Sequence, residues 1–187
     1  MIYTRPYIAA NAAAYAQKWA LDRNPLFDNY AGRGGDCTNF VSQCILAGSC
    51  KMNFTKDYGW YFISDSCRAP AWTGVEFFYD FITQNTEFTQ RNRGIGPFGE
   101  EIQASSARPG DVVQLANELG DFYHTLIVSQ VANGEIYICA HSDDALNRPL
   151  SSYTYTTARF IHIRGVRAEY DPPCFSELMN GSSLIIN

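Results

Sequence analysis

Two β-rich runs that meet at Asn133-Gly134 constrain this chain most. His124 to Val131 and Glu135 to His141 are dominated by apolar and β-branched residues. Asn-Gly is a favoured two-residue hairpin turn, because both of its positions tolerate positive φ. The sequence therefore predicts an antiparallel hairpin. With a tight turn, Ala132 faces Glu135. Counting outward sets His124 opposite Asp143 and diagonal to His141, with all three side chains on one face. A bulge or a longer turn would change the partner and keep the cluster local.

The second informative stretch is Gly34-Gly35-Asp36-Cys37, where a glycine pair runs into a helical pattern. Asp36 has the side chain of an N-cap, which makes Cys37 the first helical residue. A thiol there feels the positive end of the helix dipole, which favours the thiolate and so the nucleophile. The glycines allow a substrate carbonyl to approach both the sulfur and the N–H groups of the turn. Against this stands burial: Cys37 shares a helical face with Val41 and Cys44, and cysteine is a common core residue.

Around these two stretches the chain alternates helix and strand signals. Apolar residues from Ile8 to Arg23 recur at helical spacing and stop at Asn24-Pro25. The Cys37 helix runs to about Ala47 and ends at Gly48, with Phe40, Val41, Cys44 and Ile45 as its buried stripe. Residues 49 to 72 are aromatic and irregular, suited either to lining a groove or to covering the core. Thr73-Gly74-Val75-Glu76 has capping-box spacing and opens a helix to about residue 84. A polar connection over 85 to 108 leads to a strand at 111 to 115, and Arg159 to Val166 reads as another, with His162 in a structural or surface role. The tail carries Pro172-Pro173 and closes with Leu184-Ile185-Ile186, which reads as either a short edge strand or a loose tail. Tyr30, just ahead of the glycines, is a candidate wall for a pocket beside Cys37.

Bulk properties exclude several classes. At 187 residues the chain is expected to form one domain, with a core of about residues 7–165 and a C-terminal extension over 168–187. A net charge of -5 argues against a general nucleic-acid surface. No apolar run is long enough to cross a bilayer. The start lacks the apolar stretch of a signal peptide, so the chain as given is expected in the cytoplasm, or outside the cell if a leader was removed. Cysteines at 37, 44, 50, 67, 139 and 174 give no CxxC pair and no zinc-finger spacing; mostly reduced thiols are expected, with one or two bridges in an exported protein. No metal or cofactor is expected.

A cysteine at a helix start, a histidine opening a strand and a polar residue on the neighbouring strand together suit thiol-based acyl transfer. Cys37 would attack a carbonyl carbon, His124 would carry the proton, and His141 or Asp143 would orient the imidazole. GGDCTNFVSQC, PGDVVQ, HTLIVSQV and AHSDDALNRPL, in that order, resemble the putative amidase domain family related to the NlpC/P60 and CHAP cysteine hydrolases. The resemblance, over roughly residues 7 to 165, implies a papain-like α+β fold with N-terminal helices packed on an antiparallel β-sheet. It also implies amide-bond hydrolysis, often of bacterial cell-wall peptides. Asp36, Cys37 and His124 carry over directly; His141 is the first choice for the third position and Asp143 the second. The resemblance then implies a peptide or amide partner, peptidoglycan-derived where the substrate is a cell-wall peptide. Competing readings are a non-catalytic peptide- or glycan-binding module on the same fold, and acyl transfer to an amine.

Overall fold

The computed structural model describes residues 1–85, 94–170 and 172–183. Among them one antiparallel sheet of seven strands carries the helices on one face. Its strands are β1 (Tyr3–Arg5), β4 (Gly96–Ile102), β5 (Val112–Ala116), β6 (Phe122–Ala132), β7 (Glu135–Ala140), β8 (Ala145–Pro149) and β9 (Thr157–Ala168). The order is β1-β9-β5-β6-β7-β8, with β4 also paired to β9. A two-stranded ribbon, β2 (Phe62–Ser64) with β3 (Cys67–Arg68), stands apart. The helices are α1 (Ala9–Trp19), α2 (Asp36–Ser49), α3 (Pro70–Thr73), α4 (Val75–Gln84) and α5 (Phe175–Asn180).

Strand alternation builds two apolar layers. Val112, Ile127, Cys139 and Ile161 face the helices and join Tyr15, Trp19, Phe40, Val41 and Ile45. Their neighbours Val113, Leu126, Val128, Ile138, Ala140 and Phe160 point the other way, into a second cluster with Leu115 and Leu150.

Helix α2 is the centre of the molecule. Its sequence suggests a single apolar stripe, yet every one of its residues is buried. The polar ones are accommodated because they complete neighbouring groups. Ser42 Oγ accepts from Trp60 Nε1 at 2.9 Å and donates to the Trp72 carbonyl at 3.0 Å. Asn39 Oδ1 accepts from Trp72 Nε1 at 2.9 Å, and Gln43 Oε1 from the Tyr15 hydroxyl at 2.7 Å. Thus Trp60, Trp72 and Phe62 of the aromatic stretch belong to the core, while Phe54, Tyr58 and Ile63 are exposed.

Several expected boundaries move. Helix α2 continues through Ser49 and ends on Cys50 in the left-handed region (φ 41°), whose N–H bonds the Leu46 carbonyl at 2.7 Å. Gly48 lies inside the helix, where a Cβ would strike the Tyr7 ring. The Thr73 capping box does not form: Gly74 is the N-cap of α4, without a side-chain bond. Strand β4 lies in the stretch read as a connection, and α5 follows the proline pair. The edge strand expected at residues 184 to 186 lies outside the described residues. Cys50 and Cys174 form a disulfide that ties α5 to the end of α2, whereas Cys37, Cys44, Cys67 and Cys139 are thiols.

Candidate active site

The start of α2 is made by Gly34 (φ 79°) and Gly35 (φ 92°), both in the left-handed region. A Cβ on Gly35 would also sit 2.9 Å from the Thr73 carbonyl oxygen, so glycine is required there twice over. The helix begins one residue earlier than expected. Gly35 is the N-cap, its carbonyl accepting from Asn39 N at 2.9 Å, and Asp36 is the first helical residue. The Asp36 carboxylate does not cap the helix; it faces the rest of the protein. Oδ1 accepts from Tyr30 N at 3.0 Å and Asn39 Nδ2 at 3.1 Å. Oδ2 lies 3.2 Å from His141 Nδ1 and 3.3 Å from a guanidinium nitrogen of Arg23. Burial alone would push this carboxyl up; the facing His141 and the Tyr30 and Asn39 donors override it and hold it at about 2.

Cys37 follows in the first turn, only 5% exposed. Unlike Val41 and Cys44 it is not a member of the apolar core cluster. Its Sγ lies 3.8 Å from Thr38 Oγ1. Thr38 Oγ1 is in turn 2.9 Å from Thr125 Oγ1, the residue after His124. Gln114 Nε2 donates to Thr125 Oγ1 at 3.2 Å and to the Val75 carbonyl at 2.9 Å, and Arg159 Nε donates to Gln114 Oε1 at 2.7 Å. A buried chain of polar groups therefore fastens the first turn of α2 to the start of β6. Thr38, Thr125 and Gln114 lie in GGDCTNFVSQC, HTLIVSQV and PGDVVQ, and membership of those stretches is the sequence signal they carry.

His124 is buried in β6 opposite Leu115, and so takes the face of Leu115 and Leu126. Its ring lies 6.1 Å from that of Tyr153 and 6.2 Å from that of Tyr123. Burial pushes its pKa below the ordinary value, Asp143 pulls it back up, and Arg148 pushes it down. No hydrogen bond joins it to Cys37, a link that unliganded thiol sites often lack.

The hairpin turn forms as expected: Ala132 pairs with Glu135, with Asn133 (φ 53°) and Gly134 (φ 78°) both in the left-handed region. The register beyond it does not. A bulge between Val128 and Gln130 leaves Val128 opposite Ile138 and Ile127 opposite Cys139. This one-residue slip exchanges the faces of everything further out. The expected cluster of His124, His141 and Asp143 on one face is therefore not formed. His141 turns to the helices, its ring stacked 4.0 Å from that of Phe40 and its Nε2 2.9 Å from the Trp19 carbonyl oxygen. Asp143, in the turn after β7, is 72% exposed at its side chain and accepts from Arg148 at 2.8 Å. Its neighbour Asp144 accepts from both terminal nitrogens of Arg23, at 3.0 and 2.9 Å. Tyr30 lies in the core cluster, with the guanidinium groups of Arg33 and Arg68 over its ring, 4.8 and 4.7 Å from the centroid. Burial, with Asp65 beside the phenol, pushes its pKa up to about 12. Among the described residues no three His, Cys, Asp or Glu side chains gather as a metal site would need.

A family model described as "Putative amidase domain" matches residues 6–164. The chain belongs to this family. The description of the putative amidase domain family points to a hydrolase acting on amide bonds. Among curated proteins, the chain is 31% identical over 151 residues to the uncharacterized protein YjcM of Bacillus subtilis (strain 168), covering 76% of this chain and 32% of that protein. It is 30% identical over 126 residues to the uncharacterized protein YhbB of the same organism, covering 65% of this chain and 37% of that one. The chain thus spans about a third of the length of these relatives. No solved structure matches it significantly. None of the described helices is long and apolar enough to cross a membrane.

Proposed function

We propose that this member of the putative amidase domain family is a cysteine-dependent amidase with a papain-like arrangement related to the NlpC/P60 and CHAP hydrolases. The observation that carries the reading is the buried Thr38–Thr125 contact, which fastens the residue after Cys37 to the residue after His124. In the reaction His124 takes the Cys37 proton, the thiolate adds to the amide carbon, and a C–S bond forms. His124 then returns the proton to the leaving amine as the C–N bond breaks. Water, deprotonated by His124, cleaves the thioester and restores the thiol. The Cys37 N–H is one of the first-turn donors without an intrahelical acceptor, and it stabilises the oxyanion. Lowered by burial, the His124 pKa favours the neutral base near pH 7.

Of the two candidates for the third position, Asp143 has the stronger support, because its charge acts on His124 while both nitrogens of His141 face other groups. Cell-wall-type peptides are the substrate class we favour. The Cys50–Cys174 disulfide supports action in an oxidising compartment. Incubation with an activated amide substrate, followed by intact-mass measurement, tests the reading. An acyl adduct on Cys37 that is lost with Cys37→Ala, together with hydrolysis, supports it; undiminished hydrolysis by Cys37→Ala refutes it. One observation favours a non-catalytic peptide-binding module instead: His124 shares the face of Leu115 and makes no bond to Cys37. That module would bind peptide with equal affinity after Cys37→Ser.

A further inference from the structure

We infer that Arg23, Asp36, His141 and Asp144 form one positioning linkage that sets the first turn of α2, so that His141 acts on Cys37 through Asp36 rather than on His124. The inference rests on the reading of Cys37 as nucleophile. Asp36 is bonded directly to Cys37 along the chain and is wholly buried. Its partners come from separate parts of the fold: Tyr30 N and Arg23 from the segment after α1, His141 from the end of β7, and Asn39 from α2 itself. Arg23 spans the gap, with Asp36 on one side and Asp144 on the other. The His141 ring is held on three counts: Nδ1 faces Asp36, Nε2 faces the Trp19 carbonyl and Arg23 at 2.9 and 3.3 Å, and one ring face lies on Phe40. Phe40 stands three residues after Cys37, one helical turn along. No ring nitrogen is left to orient His124, whose side chain shares the face of Leu115 and Leu126.

The linkage does two things for the sulfur. It fixes the peptide unit that precedes Cys37, and so the direction of the Cα–Cβ bond that carries the sulfur. It also sets a cation against the Asp36 carboxylate. Left uncompensated, that anion beside Cys37 would oppose formation of the thiolate.

The test uses the full chain and the rate at which iodoacetamide labels Cys37, read at that peptide by mass spectrometry across pH. Variants are Arg23→Gln, Arg23→Lys, His141→Gln and Asp144→Asn, with His141→Gln also made in the His124→Ala background. Arg23→Gln and His141→Gln are expected to move the labelling profile to higher pH and slow labelling near pH 7 by about tenfold, the effect of one pKa unit in the thiol. Arg23→Lys restores part of the rate. Asp144→Asn removes an anion that competes with Asp36 for Arg23 and is expected to move the profile slightly to lower pH, opposite to Arg23→Gln, in a protein of near-wild-type stability. His141→Gln should slow labelling by a similar factor whether or not His124 is present. A His141→Gln effect that disappears in the His124→Ala background assigns His141 to His124 and overturns the inference, as do wild-type profiles for Arg23→Gln and Asp144→Asn. Failure of the underlying reading looks different: Cys37 of the wild type would label as an ordinary thiol, unaffected by His124→Ala.

Discussion

Asp36→Asn gives the sharpest energetic test, because the carboxylate is buried, with Oδ1 accepting two hydrogen bonds and Oδ2 facing His141 and Arg23 at ion-pair distance. Its partners lower its pKa from 3.8 to about 2. At about 1.36 kcal/mol per pH unit, the charged form is worth about 2 kcal/mol to the folded state. The sign follows from the depression. The contribution is complete above the unfolded value of 3.8 and is lost as pH falls through about 2; at pH 3 about half of it remains. Asparagine removes the charge while keeping the shape, and leaves His141 and Arg23 without their anion. Urea unfolding followed by tryptophan fluorescence should therefore find Asp36→Asn about 2 kcal/mol less stable at pH 7, with the gap shrinking to about half at pH 3. A gap that stays constant between pH 7 and 3 would show that the loss is one of packing, and the electrostatic account of the α2 start would fall.

Other consequences concern the stapled terminus and the histidine. Reducing the Cys50–Cys174 bridge, which spans 124 residues of sequence, should lower stability by about 2–4 kcal/mol; an unchanged melting temperature with reductant would show that the bridge closes nothing. Asp143→Asn should lower the His124 pKa and shift the acid limb of activity to lower pH, because it removes an anion that stabilises the imidazolium. Arg148→Gln should shift the same limb to higher pH, and a pH–rate profile that moves the same way in both variants contradicts the electrostatics.

The parts of the fold that were legible in the sequence are those set by local chemistry. Asn133-Gly134 dictates its turn, and Gly34-Gly35 dictates the left-handed entry to α2. The Ser129 bulge has no such signature: apolar residues alternate equally well on either side of it, yet its single extra residue decides which face His141 occupies. Asp36 reads as a cap because its side chain suits that role. It is drawn elsewhere by His141, Arg23 and the Tyr30 N–H, partners that only tertiary structure brings together. Strand β4 was hidden by Gly96, Pro97 and Gly99, which read as loop residues; at Gly99 a Cβ would strike the His162 carbonyl, so glycine marks the close approach of β9. The polar residues of α2 lie outside the stripe expected from the sequence, and they are the hydrogen-bond partners of Trp60, Trp72 and Tyr15. Arg23 and Asp144 lay in stretches that resemble the family, but only the fold joins them to Asp36.

The central claim, that Cys37 is a nucleophile served by His124, is tested most directly by the pH dependence of Cys37 alkylation in the wild type and in His124→Ala. The account predicts rapid labelling that persists well below the ordinary thiol pKa of about 8.5 and is slowed in the variant. Slow labelling with ordinary pH dependence in both proteins, with a control reagent showing that the thiol can be reached, would contradict it.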